Sequence, residues 1–292
     1  LSSLFITFLL EYFLTPAEDS FDKYLSRVIN WVRTKLDVDD KKIVLLTWLV
    51  LVLGSSLALW ALWELILIIH PILAFVFLVI FLYFNLGFKR FINVFLKIHS
   101  HLKNDEIEQA RLEINEWLST VKSNQVVTDA VKNGDAQQIA REATKLLVLS
   151  MHRNLFAPIF WLVVLPGPVG ILLYRASLFV QREWNKNVEE VDNSDFKDDP
   201  VRVVLEKKEK HTEEKKESRK IEQSDTYAEI ASRGFFWLDW LPARFTALVF
   251  AIVGNFEDAF AQGRLQANEI TYKSASDSDR LILAVGEGAM ML

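Results

Sequence analysis

Apolar residues in this chain are gathered into long runs separated by charged stretches. From Ile43 to Phe88, 46 positions hold one charged residue, Glu64. One bilayer crossing needs about 20 apolar residues. The run therefore predicts two crossings, Ile43–Trp63 and Ile72–Phe88, with Lys89-Arg90 stopping the second. Between them Glu64–Pro71 reads as the turn, since it holds the charge, His70 and a proline that discourages uninterrupted helix. Upstream, Leu4–Leu14 is apolar but short and carries Glu11, so it reads as a tilted crossing or an interfacial helix. Thr15–Lys42 is polar, with Tyr24, Val28, Ile29, Trp31, Val32 and Leu36 in an amphipathic pattern.

Downstream the pattern changes to helical periodicity with solvated faces. Ile107, Ala110, Ile114, Trp117, Leu118 and Val121 form one stripe, with Asp105 as its expected cap. Asp135 after Gly134 starts a second helix, with Ile139, Ala143, Leu146 and Leu147 inward. Both stripes read as packing surfaces. Leu155–Val180 is apolar but interrupted by Pro166-Gly167-Pro168, which no continuous helix survives. It is a broken crossing or a re-entrant helix pair buried in protein. Asn185–Ser224 is a Lys/Glu-rich solvated helix or disordered insert. Phe235–Gly254 is the last clear apolar segment, and the preference of proline for the first turn starts its helix near Pro242.

These elements predict an all-α, polytopic membrane bundle with cytoplasmic amphipathic helices. Its segments are 1–42, the hairpin 43–88, a helical region 89–154, the broken membrane segment 155–184, a charged and partly disordered insert 185–234, and a membrane helix with its tail at 235–292. Six Lys/Arg in Thr15–Lys42, with Lys89, Arg90, Lys97, Lys103 and Arg111 after the hairpin, put both of its arms on the cytoplasmic side. The expected location is a bacterial inner membrane.

Composition narrows the chemistry. No cysteine is present, which removes disulfides, thiolate metal sites and cysteine nucleophiles. The net charge of −5 is small, and Lys and Glu are interleaved, so no nucleic-acid surface is expected. Phosphate-cradling glycine loops, zinc-binding HExxH and serine-nucleophile motifs are absent from the sequence. His99 and His101 lie two apart, about 200° around a helix, which is poor for chelation, and no metal site is expected.

Arg175 and Arg244 each sit inside an apolar run, where a charge costs roughly 2.5–3.5 kcal/mol at membrane depth. Such an arginine pairs with a carboxylate, of which Asp239 is the nearest, binds an anionic ligand, or snorkels to headgroups. His152 and Arg153 stand at the mouth of the broken segment and add positive charge there. Glu11 and Glu64 read as interfacial.

The chain carries Ala157-Pro158-Ile159-Phe160-Trp161, Gly167, Gly170, Leu172, Tyr174-Arg175-Ala176, Arg233 and Leu241-Pro242-Ala243-Arg244-Phe245-Thr246-Ala247-Leu248, and in these residues it resembles the integral-membrane CobD/CbiB family, which includes the AmpE proteins. Glu106 through Ala110-Arg111 is similar to the family's D-x-x-x-A-R stretch, and SLFITFLLEYFL is similar to the opening of AmpE proteins. The departures fall on acids and amides. Leu149, Ser150 and Arg153 stand where the synthases have E-N-x-x-D; Leu178 and Gln181 replace a later N and D; Phe235-Phe236 replace D-D, and Asp239 replaces the following N.

The resemblance implies a membrane-bound sensor or modulator of AmpE type on a scaffold that has lost its metal-ligating acids. A divergent adenosylcobinamide-phosphate synthase is the alternative, joining an aminoalcohol phosphate to a corrinoid carboxylate with ATP and Mg²⁺. The expected partners are the bilayer, an anionic or phosphorylated small molecule and a membrane protein. The expected ligand-binding set is Arg153, Tyr174, Arg175, Asp239 and Arg244, converging on one pocket with no cofactor and no assigned catalytic residue.

Overall fold

The computed structural model describes residues 2–13, 26–32, 35, 40–121, 134–194, 210–269 and 275–290, and these are helical with no strand among them. Tyr24 and Leu36 of the early amphipathic pattern lie outside the described residues. Helix α1 is Ser2–Phe13. Its 12 described residues rise about 18 Å. Leu4 packs into a core with Leu82, Leu86 and Ile171, and Thr7 donates to the Val79 carbonyl at 3.4 Å.

Helix α2, Lys41–Ile69, opens on Asp40, whose carboxylate accepts from the Lys42 amide at 2.9 Å. The helix continues through Glu64 to Ile69, so the expected turn at Glu64–Pro71 shrinks to His70. His70 Nδ1 accepts from the Ile72 amide at 3.2 Å and Pro71 takes the first helical position, where its missing N–H costs nothing. Helix α3, Pro71–Leu86, ends at Gly87 with φ +54°. Gly87 is therefore the stop, and Lys89-Arg90 fall inside α4, Phe88–Lys103.

Asp105 is not the cap of the following helix. It takes φ +63°, while the Glu106 amide donates to His101 O at 2.9 Å and its own amide to Leu102 O at 3.2 Å. This pair of bonds closes the C-terminus of α4, with an aspartate in the left-handed position glycine usually holds. Helix α5 is Ile107–Val121. Asp135 starts α6 as expected, through a reciprocal capping box with Gln138. Helices α4, α5 and the first half of α6 share a core of Phe91, Ile98, Ala110, Ile114, Trp117, Ile139, Ala143 and Leu146, so both predicted stripes pack against one another.

Helix α6, Ala136–Val164, passes through a widened π turn at His152–Phe156 and stops before Pro166-Gly167-Pro168. Gly167 takes φ +64°, and a Cβ there would lie 2.8 Å from the Trp63 ring. Helix α7, Val169–Ser194, returns antiparallel to α6, with Gly170 against the Trp161 carbonyl and Arg175 donating to Asn154 Oδ1 at 3.0 Å. Its Ala176, Val180 and Trp184 then meet Val44, Trp48 and Val52. Thus α2 and α6 run parallel, and their starts lie on the same side, away from the tip where Trp63 meets Gly167.

The charged stretch after Asn185 is helical to Ser194 and again from Lys210, with 195–209 outside the described residues. Helix α8, Lys210–Val253, holds Pro242 in its interior, so the expected helix start there is wrong. The insert boundary also moves, because Tyr227 and Ala231 are buried in the core with Trp48 and Trp184. Helices α9, Phe256–Glu269, and α10, Ala275–Met290, pack on each other through close approaches at Gly263 and Gly288, and α10 meets the end of α8 at Gly254. Four stretches, Lys41–Ile69, Pro71–Lys103, Ala136–Val164 and Thr226–Val253, are long and apolar enough to cross a bilayer. The chain is a helical membrane protein.

Candidate functional site

Where α6, α7, α8 and α10 meet, the core is polar. The π turn adds a residue to one turn of α6, and both His152 and Arg153 are buried there. On α8, Asp239, Ala243 and Thr246 fall at positions i, i+4 and i+7, a single inward stripe. Ala243 is fully buried against Val148 and Leu149, and its small size lets α6 come close.

His152 bridges the two polar ends of that stripe. Its Nε2 lies 2.9 Å from Asp239 Oδ1 and its Nδ1 2.9 Å from Thr246 Oγ1. A carboxylate only accepts, so Nε2 carries the proton. The Thr246 hydroxyl rotates to suit Nδ1, donating to a neutral ring and accepting from a charged one. Tyr174 on α7 donates to the same Asp239 oxygen at 2.8 Å. His152, Tyr174 and Asp239 are 0%, 0% and 1% exposed. Arg153 turns to α10, where it donates to Asp279 Oδ2. Burial pushes the Asp279 carboxyl above the usual carboxylate range, with Arg153 opposing it.

The network therefore runs Thr246–His152–Asp239–Tyr174, with Arg153–Asp279 beside it and electrostatically coupled to Asp239 and Tyr174. On the helices that carry His152, Tyr174 and Asp279, Arg153 Nε and the hydroxyls of Ser150, Ser177 and Ser278 are buried without a hydrogen-bond partner. Such donors are uncommon in a closed core and mark room for a water or a ligand.

Of the expected ligand set, the structure brings Arg153, Tyr174 and Asp239 together. The partners of the other two arginines differ. Arg175 donates to Asn154 Oδ1 and to the Asn85 carbonyl, clasping α3, α6 and α7. Arg244 donates to Trp240 O at 3.0 Å and lies 3.8 Å from the centre of the Trp240 ring. Asp239 and Arg244 are about 140° apart around α8, so they face different surroundings. Glu183, further along α7, accepts from Asn30 at 3.5 Å.

Sequence reasoning misses two members, Thr246 and Asp279, and gives a third, His152, a different place. Thr246 had a legible signal, its i+7 spacing from Asp239 inside the Pro242-Ala243-Arg244-Phe245-Thr246 run. His152 was read as part of a pocket mouth and is instead the central bridge. Asp279 lies in a tail with no recognisable motif, and only the fold brings it to Arg153. Among the described residues no group of three His, Asp or Glu is placed to hold a metal ion.

Among curated proteins and solved structures, none matches the chain. The protein-family model described as CobD/Cbib protein matches residues 15–178, more than half of the chain. That match covers α2 through the Tyr174-Arg175-Ala176 turn of α7 and hence two of the four walls of the polar network, and the chain belongs to the CobD/CbiB family.

Proposed function

We propose that this chain is a non-catalytic membrane modulator of AmpE type, which holds an anionic ligand on the CobD/CbiB scaffold without turning it over. The observation that carries the reading is the engagement of the two acids left at the site. Asp239 accepts from Tyr174 and His152 through one oxygen, and Asp279 is held by Arg153. A synthase using ATP needs carboxylates open to Mg²⁺ and phosphate, and Mg²⁺ demands near-octahedral oxygen ligands. A buried carboxylate bonded to a histidine and a tyrosine does not suit that ion. Arg153, whose Nε has no partner, offers a donor to an oxyanion instead, and Ser150, Ser177 and Ser278 are further buried hydroxyls without a partner on the helices of the network. Tyr174 and Asp239 support it, and Arg175 braces the hairpin on which Tyr174 stands.

The synthase remains the second reading, favoured by the family match itself. Purified protein incubated with a corrinoid carboxylic acid, an aminoalcohol phosphate, ATP and Mg²⁺ separates the two. The modulator reading expects no amide product and no ATP consumption. An amide product that disappears in Arg153→Lys would establish the synthase.

A further inference from the structure

Arg153 is held by one prong of a two-pronged edge. Its Nη2 donates to Asp279 Oδ2. Its Nε, whose N–H points the same way from the same edge of the planar guanidinium, is buried without a hydrogen-bond partner. Arg153 and Asp279 are 8% and 9% exposed, so this edge lies inside the bundle, where a bare donor is costly. A carboxylate seated squarely on such an edge puts one oxygen on each N–H. Asp279 makes half of that pairing.

Asp279 is also held more lightly than the other acid of the network. Asp239 accepts from both His152 and Tyr174, whereas among the described residues the Asp279 carboxylate has one hydrogen-bond partner, Arg153. Burial already disfavours its charge. The anchors of α10 lie further along the helix. Ile282 and Leu283 pack with Val148, Leu149 and Ala243, Glu287 pairs with Arg141 at 3.5 Å and with Lys145 at 3.4 Å, and Gly288 packs on Ala259. The turn that carries Asp279 precedes all of these contacts, and on it the buried Ser278 hydroxyl has no partner. The acid can leave Arg153 while the body of α10 stays packed.

We propose that Asp279 is an internal stand-in for the ligand: it occupies Arg153 while the site is empty, and an anion presenting two oxygens side by side, a carboxylate or a phosphate, displaces it by taking Nε and Nη2 together. The inference rests on the anion-site reading above and adds the regulation of that site. Ligand affinity is then set by a competition within the chain, and the first turn of α10 is the element that changes when the ligand arrives on α6. A purely structural ion pair predicts the opposite sign, because loss of Asp279 would leave Arg153 misplaced and weaken binding.

Calorimetric titration of ethanolamine phosphate into the full chain in detergent, wild type against Asp279→Asn, tests the competition. Asparagine keeps the shape of the side chain and removes its charge. The variant is expected to bind about tenfold more tightly, the low end of what a hydrogen bond to a charged group contributes. Binding by the wild type that is unchanged or weakened in Asp279→Asn overturns the stand-in and leaves the anion site in place. Binding by neither protein removes the anion site and the stand-in with it. A second measurement keeps Asp279 itself. The chain has no cysteine and Arg280 is exposed, so a spin label at Arg280→Cys reports on this turn without background. Ethanolamine phosphate is expected to raise the label's mobility, with its midpoint at the calorimetric Kd. An unchanged spectrum at saturation overturns the proposal.

Discussion

The Trp161 indole donates to the Leu238 carbonyl at 3.2 Å, and this is the carbonyl that Pro242 leaves without its helical donor. In an unbroken helix residue 242 would supply that N–H. A proline therefore sits inside α8 because a tryptophan from another helix replaces the missing bond. The residue pair links two stretches of the sequence, Ala157–Trp161 and Leu241–Leu248, that resemble the family separately. Breaking it exposes an unsatisfied carbonyl in an apolar setting.

Trp161→Phe is accordingly expected to lower stability by about 1–3 kcal/mol, the cost of a carbonyl left unpaired. Pro242→Ala restores the N–H, so the same tryptophan substitution should cost clearly less in that background. A double-mutant cycle by chemical unfolding in detergent measures the difference, and purely additive effects would show that Trp161 does not serve the carbonyl.

The network around Asp239 predicts a graded response. Asp239→Ala strips partners from both His152 and Tyr174 and is expected to cost about 3–5 kcal/mol, as for a broken buried pair. Asp239→Asn keeps an acceptor for Tyr174 and should cost less than half of that. Equal losses in thermal unfolding would mean that the charge, and not the hydrogen bonds, is what the core requires.

Gly170→Ala tests the close approach of α6 and α7. A Cβ at that position meets the Trp161 backbone carbonyl, which cannot rotate away. Overpacking of this kind costs about 1–3 kcal/mol. Gly87→Ala, where nothing lies within 4 Å, strains only the local left-handed backbone and serves as the comparison.

The hairpin predicts the side of each loop. A reporter active only outside the cytoplasm should work when fused at His70, between α2 and α3, and fail at Lys103. The reverse pattern would invert the orientation of the bundle.

Much of this was legible because it rests on local rules. The α2–α3 pair follows from 46 nearly uncharged positions, and the α6–α7 break from Pro166-Gly167-Pro168. The stripes from Ile107 and Ile139 do pack, and Asp135 does cap. The errors came where a distant residue overrides a local preference. Pro242 looked like a helix start, and Trp161 made it an interior residue. Asp105 looked like an N-cap, and bonds back to His101 and Leu102 made it the end of α4. Of the polar network, Arg153, Tyr174 and Asp239 were legible but Asp279 was not, because it reaches Arg153 only across a sequence separation of 126. Arg175 and Arg244 looked alike because both interrupt apolar runs, yet one clasps asparagines inside the bundle and the other lies over the Trp240 ring of its own helix.

The most direct test of an anion site that works without a divalent metal is calorimetric titration of an aminoalcohol phosphate into purified protein, with Mg²⁺ and with EDTA. The two titrations are expected to give the same affinity, and Arg153→Lys is expected to weaken it at least tenfold by removing the bidentate fork. Binding that appears only with Mg²⁺ would contradict the account and return this chain to the synthases.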